Sequence, residues 1–268
     1  MRGNSSFNWR CTPGLPAFST LVFLFLYLPL LVVVVFSFNS GKQVTIWEDF
    51  SARWYLSVFN NRDIAVALSN SLIIAFASMI ASTFIALAAA LGLREGTAKN
   101  GTNLTLGLIL LPLVVPEIVV AVATLVFFSG LGLKLGLGNI IIAHTVFCVP
   151  FAFLPIQARL SDLGTSVEDA ARDLYSGEWE VFRRVTLPLL MPAILSAAML
   201  TFAASLDDFL ISMFLADAGQ TTLPVYIYGM LRVGVTPEVN AVSTLLLVFS
   251  VLIVLVALFL QRNSRLTR

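Results

Sequence analysis

Long apolar runs separated by polar stretches dominate this sequence. Six runs of about 20 residues stand out, at 16–37, 70–92, 105–128, 139–157, 193–216 and 241–261. A helix of about 20 apolar residues is long enough to cross the hydrocarbon core of a bilayer. The runs are continuous rather than alternating, which disfavours a transmembrane β-barrel. The pattern therefore predicts an all-α membrane protein with six transmembrane helices, forming a single transmembrane domain over residues 1–268.

The composition supports a membrane protein. Of the 268 residues, 58% are hydrophobic and 12% are charged, whereas soluble domains average about 25% charged residues. The net charge of +1 indicates no general attraction to nucleic acid. Cys11 and Cys148 lie far apart and are predicted to be unpaired, and no Cys/His cluster indicates a metal site. The first apolar run is too long for a signal-peptide core and no cleavage site follows it, so we interpret it as a retained span.

Lysine and arginine are distributed unevenly between alternate connections. Eleven of the 16 lie in the two tails and in the 93–104 and 158–192 connections, and five lie in the other three connections. Because cytoplasmic segments of membrane proteins carry the excess of Lys and Arg, this distribution orients the chain. It predicts that both termini and the 158–192 connection are cytoplasmic.

The 158–192 connection holds the most charged run of the chain, EDAARDLYSGEWEVFRRVTLPLLMP. Ser166 is suited to cap a first helix, with acidic residues at its positive end. The pair Ser176–Gly177 interrupts the helix formers. A second helical piece over 178–187 is expected to stop at Pro188, because proline lacks the backbone donor. A short helix with one apolar face, held outside the bilayer, is suited to be bound by another protein.

This segment resembles the cytoplasmic loop of ABC importer permeases. That loop reads Glu-Ala-Ala, three residues, Gly, then nine residues and a hydrophobic-x-Leu-Pro ending. Here the pattern falls on Asp169, Ala170, Ala171, position 175 and 185–188. Two positions depart from it: Asp169 replaces the usual Glu, with Glu168 just before it, and Tyr175 replaces a glycine that normally gives the helix a left-handed end, with Gly177 two residues on.

Other stretches are similar to the polyamine (spermidine/putrescine) importer permeases. They are FSFNSGKQVTIW, LPLVVPEIV, AHTVFCVPF, SLDDFLISMF and TTLPVYIYGMLRVGVTPEVNAVSTLLL, and the similarity runs from about Tyr27 to Leu260. It implies a type I ABC importer permease (MetI-like) fold with a cytoplasmic coupling helix. The protein would then form half of the translocation pathway of a bacterial inner-membrane polyamine importer.

The resemblance also implies partners. They are a second homologous permease, two ATPase subunits that carry ATP and Mg, and a periplasmic substrate-binding protein. Residues that would couple the chain to the ATPase are Glu168, Asp169, Ala170, Ala171, Tyr175, Gly177, Leu187 and Pro188. The chain itself has no GxxxxGK[ST] sequence. We therefore expect a transport subunit that is not an enzyme and binds no cofactor of its own.

Ionisable residues inside spans are costly and are therefore candidates for function. Glu117 follows Pro112 and Pro116 in the third span, and Asp207 and Asp208 lie inside the fifth. These acids are the candidates for a substrate pathway, where they would compensate the ammonium groups of a polyamine; we expect only one of the two aspartates to face it. The alternative is that the acids pair with polar groups of the partner permease. His144 is predicted to be a hydrogen-bonded packing residue.

Three functional classes are compared here. For an ABC importer permease, the substrate would be putrescine, spermidine or another cationic or small organic solute. An ion-coupled secondary transporter would also use buried acids, but more spans or an internal repeat would be expected. An intramembrane enzyme is disfavoured because the sequence suggests no paired His/Asp, no Ser/His arrangement and no metal cluster.

Overall fold

The computed structural model describes residues 14–44, 46–95, 99–164, 166–174, 177–217, 219–234 and 236–266. These residues are helical apart from short connections and one isolated bridge between Asn39 and Phe50. The helices are α1 Leu15–Phe36, α2 Arg53–Asn60, α3 Arg62–Glu95, α4 Lys99–Val114, α5 Glu117–Gly130, α6 Leu137–Leu163, α7 Ser166–Leu174, α8 Glu178–Val181, α9 Leu187–Asp207, α10 Leu210–Leu215, α11 Leu223–Val233 and α12 Pro237–Leu266, with a π-helical turn Phe182–Thr186 between α8 and α9. The predicted all-α class is confirmed.

Four helices within the described residues are long and apolar enough to cross a membrane, or five if one bent pair counts as a span. The four are Leu15–Phe36, Arg62–Arg94, Leu137–Leu163 and Glu178–Asp207, and the pair is Leu104–Val114 with Glu117–Gly130. The sixth predicted run falls in α12, whose described apolar part, Pro237–Ile253, is shorter. Six spans therefore remain a prediction.

The third predicted span is not one continuous helix. α4 and α5 meet at an angle of 105°, and Pro116 between them has an extended backbone with ψ of 133°. Because Pro116 offers no backbone donor, the helical ladder is interrupted here and α5 begins anew at Glu117. The predicted span 105–128 is thus a bent pair of helices.

The fifth predicted span starts earlier and ends earlier than expected. The predicted stop at Pro188 was wrong, because a helix continues from Glu178 through the π-helical turn to Asp207. Pro188 lies in the first turn of α9, where its missing donor is tolerated. Asp208 then has an extended backbone, with ψ of 125°, and α10 begins at Leu210. The apolar run 193–216 is thus divided at its two aspartates.

The chain divides into two compact units, which leaves the single domain over 1–268 a prediction. In the larger unit, α3, α6 and α9 pack around a core that includes Ala86, Ala90, Ala152, Phe153 and Leu190. The alanines let the helix backbones approach closely, as at helix contacts inside membranes.

The smaller unit, 1–60 with 230–246, is organised around Asn39. Its buried amide donates to the carbonyls of Gln43 and Ile46 and accepts from the backbone amides of Gly41 and Glu48. These bonds close the connection after α1 into an ordered loop.

We predict that Leu190→Ala destabilises the protein by about 2–5 kcal/mol, because it leaves a cavity in a fully buried site. Leu195→Ala on the same helix is the matched control, since Leu195 is exposed. Thermal unfolding in detergent is the measurement. Equal melting temperatures for the two variants would contradict the packing described above.

Candidate functional site

Glu117, Asp207 and Asp208 lie around one cavity of about 360 Å³. Its other lining residues are apolar or aromatic: Phe147, Phe151, Leu200, Ala203 and Ala204. The cavity lies in the larger unit, beside α5, α6 and α9. Acids 90 residues apart in sequence therefore lie at one cavity, whose other lining residues have no polar side chains.

Two helix breaks bring these acids together. Glu117 is the first residue of α5, directly after the 105° bend. Asp207 ends α9, and Asp208 forms the connection to α10. Interrupted helices inside membranes expose unpaired backbone groups and are typical of substrate sites.

Asp208 is the most deeply placed of the three. Its side chain is 1% exposed. Oδ1 accepts the backbone N–H of Ser212 at 3.1 Å, which caps α10, and lies 3.1 Å from Nε2 of His144. The other oxygen, Oδ2, has no hydrogen-bond donor among the described residues. A buried acceptor without a donor is costly.

His144 links α6 to the break. Its ring is fully buried, Nδ1 lies 2.8 Å from Oγ of Ser205, and Nε2 lies 3.2 Å from Oγ of Ser212 as well as near Asp208. The predicted packing role of His144 agrees with these contacts. The expectation of no paired His/Asp and no Ser/His arrangement was wrong, because residues 61 and more apart in sequence meet only after folding. Ser205 is itself buried, so its hydroxyl is not accessible to a substrate in the way that a nucleophile must be.

The other two acids are more accessible. Asp207 is exposed and Glu117 is half-buried. The side chain of Glu117 is within hydrogen-bonding reach of that of Asp208, and a hydrogen bond between two carboxyl groups requires a proton on one of them. Both aspartates line the cavity, but Asp208 is buried and caps α10, so the expectation that only one of them faces a substrate pathway stays a prediction. Their different burial arises because Asp208 has left the helix that Asp207 ends.

A second cluster lies in the segment 164–188, hereafter the loop segment. The Glu168 carboxylate accepts Nη1 of Arg94 at 2.7 Å and Oγ1 of Thr186 at 2.7 Å. Arg94 also donates to the carbonyl of Gly164. Glu168 is only 15% exposed. It therefore fastens α7 to the end of α3 and to the π-helical turn.

The remaining loop residues divide into inward and outward positions. Ala171 is buried, whereas Ala170 and Asp169 are exposed. Arg172 donates to Asp169 at 2.7 Å and to Glu178 at 2.9 Å, and these acids raise the pKa of Arg172, Glu178 more than Asp169. On the outer face Trp179 is 69% exposed and packs against Phe182 at 5.6 Å between ring centroids.

The helix break of the loop segment falls where the sequence predicts it. Gly177 precedes α8 with φ of −144° and ψ of 139°. That backbone is extended rather than left-handed, so Gly177 does not supply the left-handed end of the family glycine. Tyr175 lies outside the described residues. Leu187 and Pro188 form the first turn of α9.

Known proteins resemble this chain in sequence. Residues 96–266 match the family described as binding-protein-dependent transport system inner membrane component. The spermidine/putrescine transport system permease protein PotC of Escherichia coli K12 is 34% identical over 247 residues, covering 92% of this chain and 93% of PotC. The putrescine transport system permease protein PotI of the same organism is 38% identical over 233 residues, covering 85% of this chain and 83% of PotI.

Solved structures share the fold. A bacterial ABC transporter involved in the import of the acidic polysaccharide alginate superposes with a TM-score of 0.73 at 18% identity, covering 94% of this chain and 93% of that chain. The MetNI methionine ABC transporter, in an inward facing conformation, gives a TM-score of 0.61 at 22% identity, covering 74% and 94%. The predicted MetI-like ABC importer permease fold is thereby confirmed.

We predict that Glu168→Ala loosens the loop segment. It removes two hydrogen bonds to a half-buried carboxylate, which are worth about 1.5–3 kcal/mol when a charge is involved. Amide hydrogen exchange over 164–188 should become faster. Asp169→Ala is the matched control, because the neighbouring acid is exposed and its ion pair is solvated. Equal protection in both variants would contradict the fastening role of Glu168.

Proposed function

Because this chain belongs to the family of binding-protein-dependent transport system inner membrane components, we propose that it is the permease subunit of an ATP-driven polyamine importer. It forms half of the translocation pathway and passes putrescine or spermidine. Support for the substrate class comes from the relatives PotC and PotI, whose names specify spermidine and putrescine.

The observation that carries this proposal is the acidic cavity between the membrane-spanning helices. Glu117, Asp207 and Asp208 line it together with Phe147 and Phe151. A polyamine carries ammonium groups separated by short apolar chains. Carboxylates compensate the ammonium charges, and aromatic rings contact both the methylenes and the cationic groups. The cavity thus offers both kinds of contact, and acids placed inside a membrane are costly unless they have such a role.

We also propose the membrane topology and the site of coupling. The chain crosses the inner membrane six times, with α12 as the last span and both termini in the cytoplasm, as the excess of Lys and Arg indicates. The loop segment then lies on the cytoplasmic side. Its exposed positions Asp169, Ala170 and Trp179 support a docking surface for an ATPase subunit.

The partners follow from this role. A second permease completes the pathway, two ATPase subunits bind ATP and Mg and hydrolyse the nucleotide, and a periplasmic binding protein delivers the substrate. This chain contributes no nucleotide site and binds no cofactor. Each partner favours one orientation of the cavity through contacts that differ between the two states.

Transport of labelled putrescine and spermidine into proteoliposomes tests the function. The vesicles hold this chain with its neighbouring permease, ATPase and binding protein. ATP-dependent accumulation is the expected result. A complex that hydrolyses ATP but accumulates neither polyamine would retain the permease role and redirect the substrate to another cationic or small organic solute. Accumulation without any ATPase subunit would indicate an ion-coupled transporter instead.

We predict that Glu117→Gln and Asp207→Asn each reduce polyamine uptake about tenfold, since each removes a charge-assisted contact to an ammonium group. The rate of uptake at subsaturating substrate in the same vesicles is the measurement. Asp63→Asn is the matched control, because Asp63 is an exposed acid at the start of α3, outside the cavity. Equal uptake in all three variants would show that Glu117 and Asp207 do not contribute to the substrate pathway.

We predict that Trp179→Ala weakens binding of the ATPase subunit at least tenfold, because exposed tryptophans are typical binding hot spots. Copurification of the ATPase with the permease is the measurement. Phe84→Ala is the control, since Phe84 is equally exposed, at 72%, but lies within the apolar stretch of α3. Retention of the ATPase by Trp179→Ala would locate the docking surface elsewhere.

A further inference from the structure

The contacts of His144 determine which proton its ring carries. The Asp208 carboxylate accepts hydrogen bonds, so the ring nitrogen facing it, Nε2, carries the hydrogen. Nδ1 is then the acceptor, and the Ser205 hydroxyl donates to it at 2.8 Å. The hydrogen bonds run in one direction, from Ser205 through His144 to Asp208. This order uses every polar atom of the imidazole ring.

The same contacts fix the orientation of Asp208. Oδ1 is held by two donors on different helices, Nε2 of His144 on α6 and the backbone N–H of Ser212 on α10. Because a carboxylate is planar and rigid, holding Oδ1 from two directions also sets the direction of Oδ2. That oxygen is the one without a donor among the described residues, and Asp208 lines the cavity.

Glu117 lies next to Asp208 and lines the same cavity. Oδ2 of Asp208 is itself buried, so Asp208 gives the cavity its negative charge rather than a direct contact. The Glu117 carboxyl is only half-buried and offers acceptor oxygens at the cavity. A primary ammonium group, which has three N–H donors and one positive charge, fits this combination.

We propose that His144 is a positioning residue, which holds the Asp208 carboxylate at the cavity so that its negative charge and the Glu117 carboxyl together attract one ammonium group of the substrate. This inference rests on the proposed function and deepens it. Asp208 has a double role, since it caps α10 and also gives the cavity a negative charge. Asp207, more exposed and on the end of α9, is left to bind a second ammonium group of the same molecule.

Three substitutions of the histidine and its neighbour separate positioning from packing. His144→Leu introduces an apolar side chain of similar size and removes all hydrogen bonds of the ring. His144→Gln keeps an N–H donor that reaches toward Asp208. Thr145→Val is the matched control, because the adjacent hydroxyl bonds only to the Ile141 carbonyl, at 2.7 Å.

The experiment uses the complete transporter in proteoliposomes and measures putrescine accumulated per ATP hydrolysed. We expect this ratio to fall about tenfold in His144→Leu, the usual worth of a charge-assisted hydrogen bond. His144→Gln should remain within about threefold of wild type, as should Thr145→Val. Dividing by ATP hydrolysis corrects for the amount of assembled complex, so a variant that folds poorly does not imitate the effect.

A double substitution gives the decisive comparison. If His144 acts through Asp208, His144→Leu combined with Asp208→Asn transports no worse than Asp208→Asn alone, because coupled residues are not additive. Additive losses in the double variant would overturn the positioning role, as would a ratio of putrescine to ATP in His144→Leu equal to that of the wild type. The proposed function would still stand in both cases, provided that the wild-type transporter accumulates polyamine. Absence of putrescine and spermidine uptake by the wild-type transporter would overturn both.

Discussion

A carboxylate buried inside a membrane protein must find hydrogen-bond donors, and the rest of the cavity depends on how Asp208 does so. Moving such a charge out of water is costly unless it is paired. Here one oxygen is satisfied by an imidazole and by a backbone amide in the first turn of α10. That amide is free only because α9 stops at Asp207 and α10 begins three residues later. The break and the charge therefore stabilise each other.

The same reasoning applies to the other helix break. Pro116 interrupts the ladder between α4 and α5, and the new helix begins at an acid. An acid at the first position of a helix is favoured by the unpaired amides there. Two interrupted helices thus turn their ends toward one cavity, where irregular backbone is tolerated inside a membrane. The helices α3, α6 and α9 pack closely through alanines, so the irregular parts are attached to a well-packed frame.

The sequence predicts the helical class, the positions of the apolar runs and the acids that line the cavity, because these depend on local composition. It also predicts the break before Gly177. The continuation through Pro188 was not predicted, since a proline ends one helix and begins another according to the turn that precedes it. His144 and Asp208 are 64 positions apart in sequence, and no local sequence pattern predicts their contact. The inward position of Glu168, next to the outward Asp169, likewise depends on Arg94 and Thr186 from other elements.

The uninterrupted helix from Glu178 to Asp207 has a mechanical consequence. Its 30 residues span about 45 Å at a rise of about 1.5 Å per residue. One end carries the exposed Trp179 and the other carries an acid of the cavity. A tilt of this helix by about five degrees about its Trp179 end displaces its Asp207 end by about 4 Å. A tilt imposed at the proposed docking surface would therefore change the width of the cavity directly, with no relay of side chains in between.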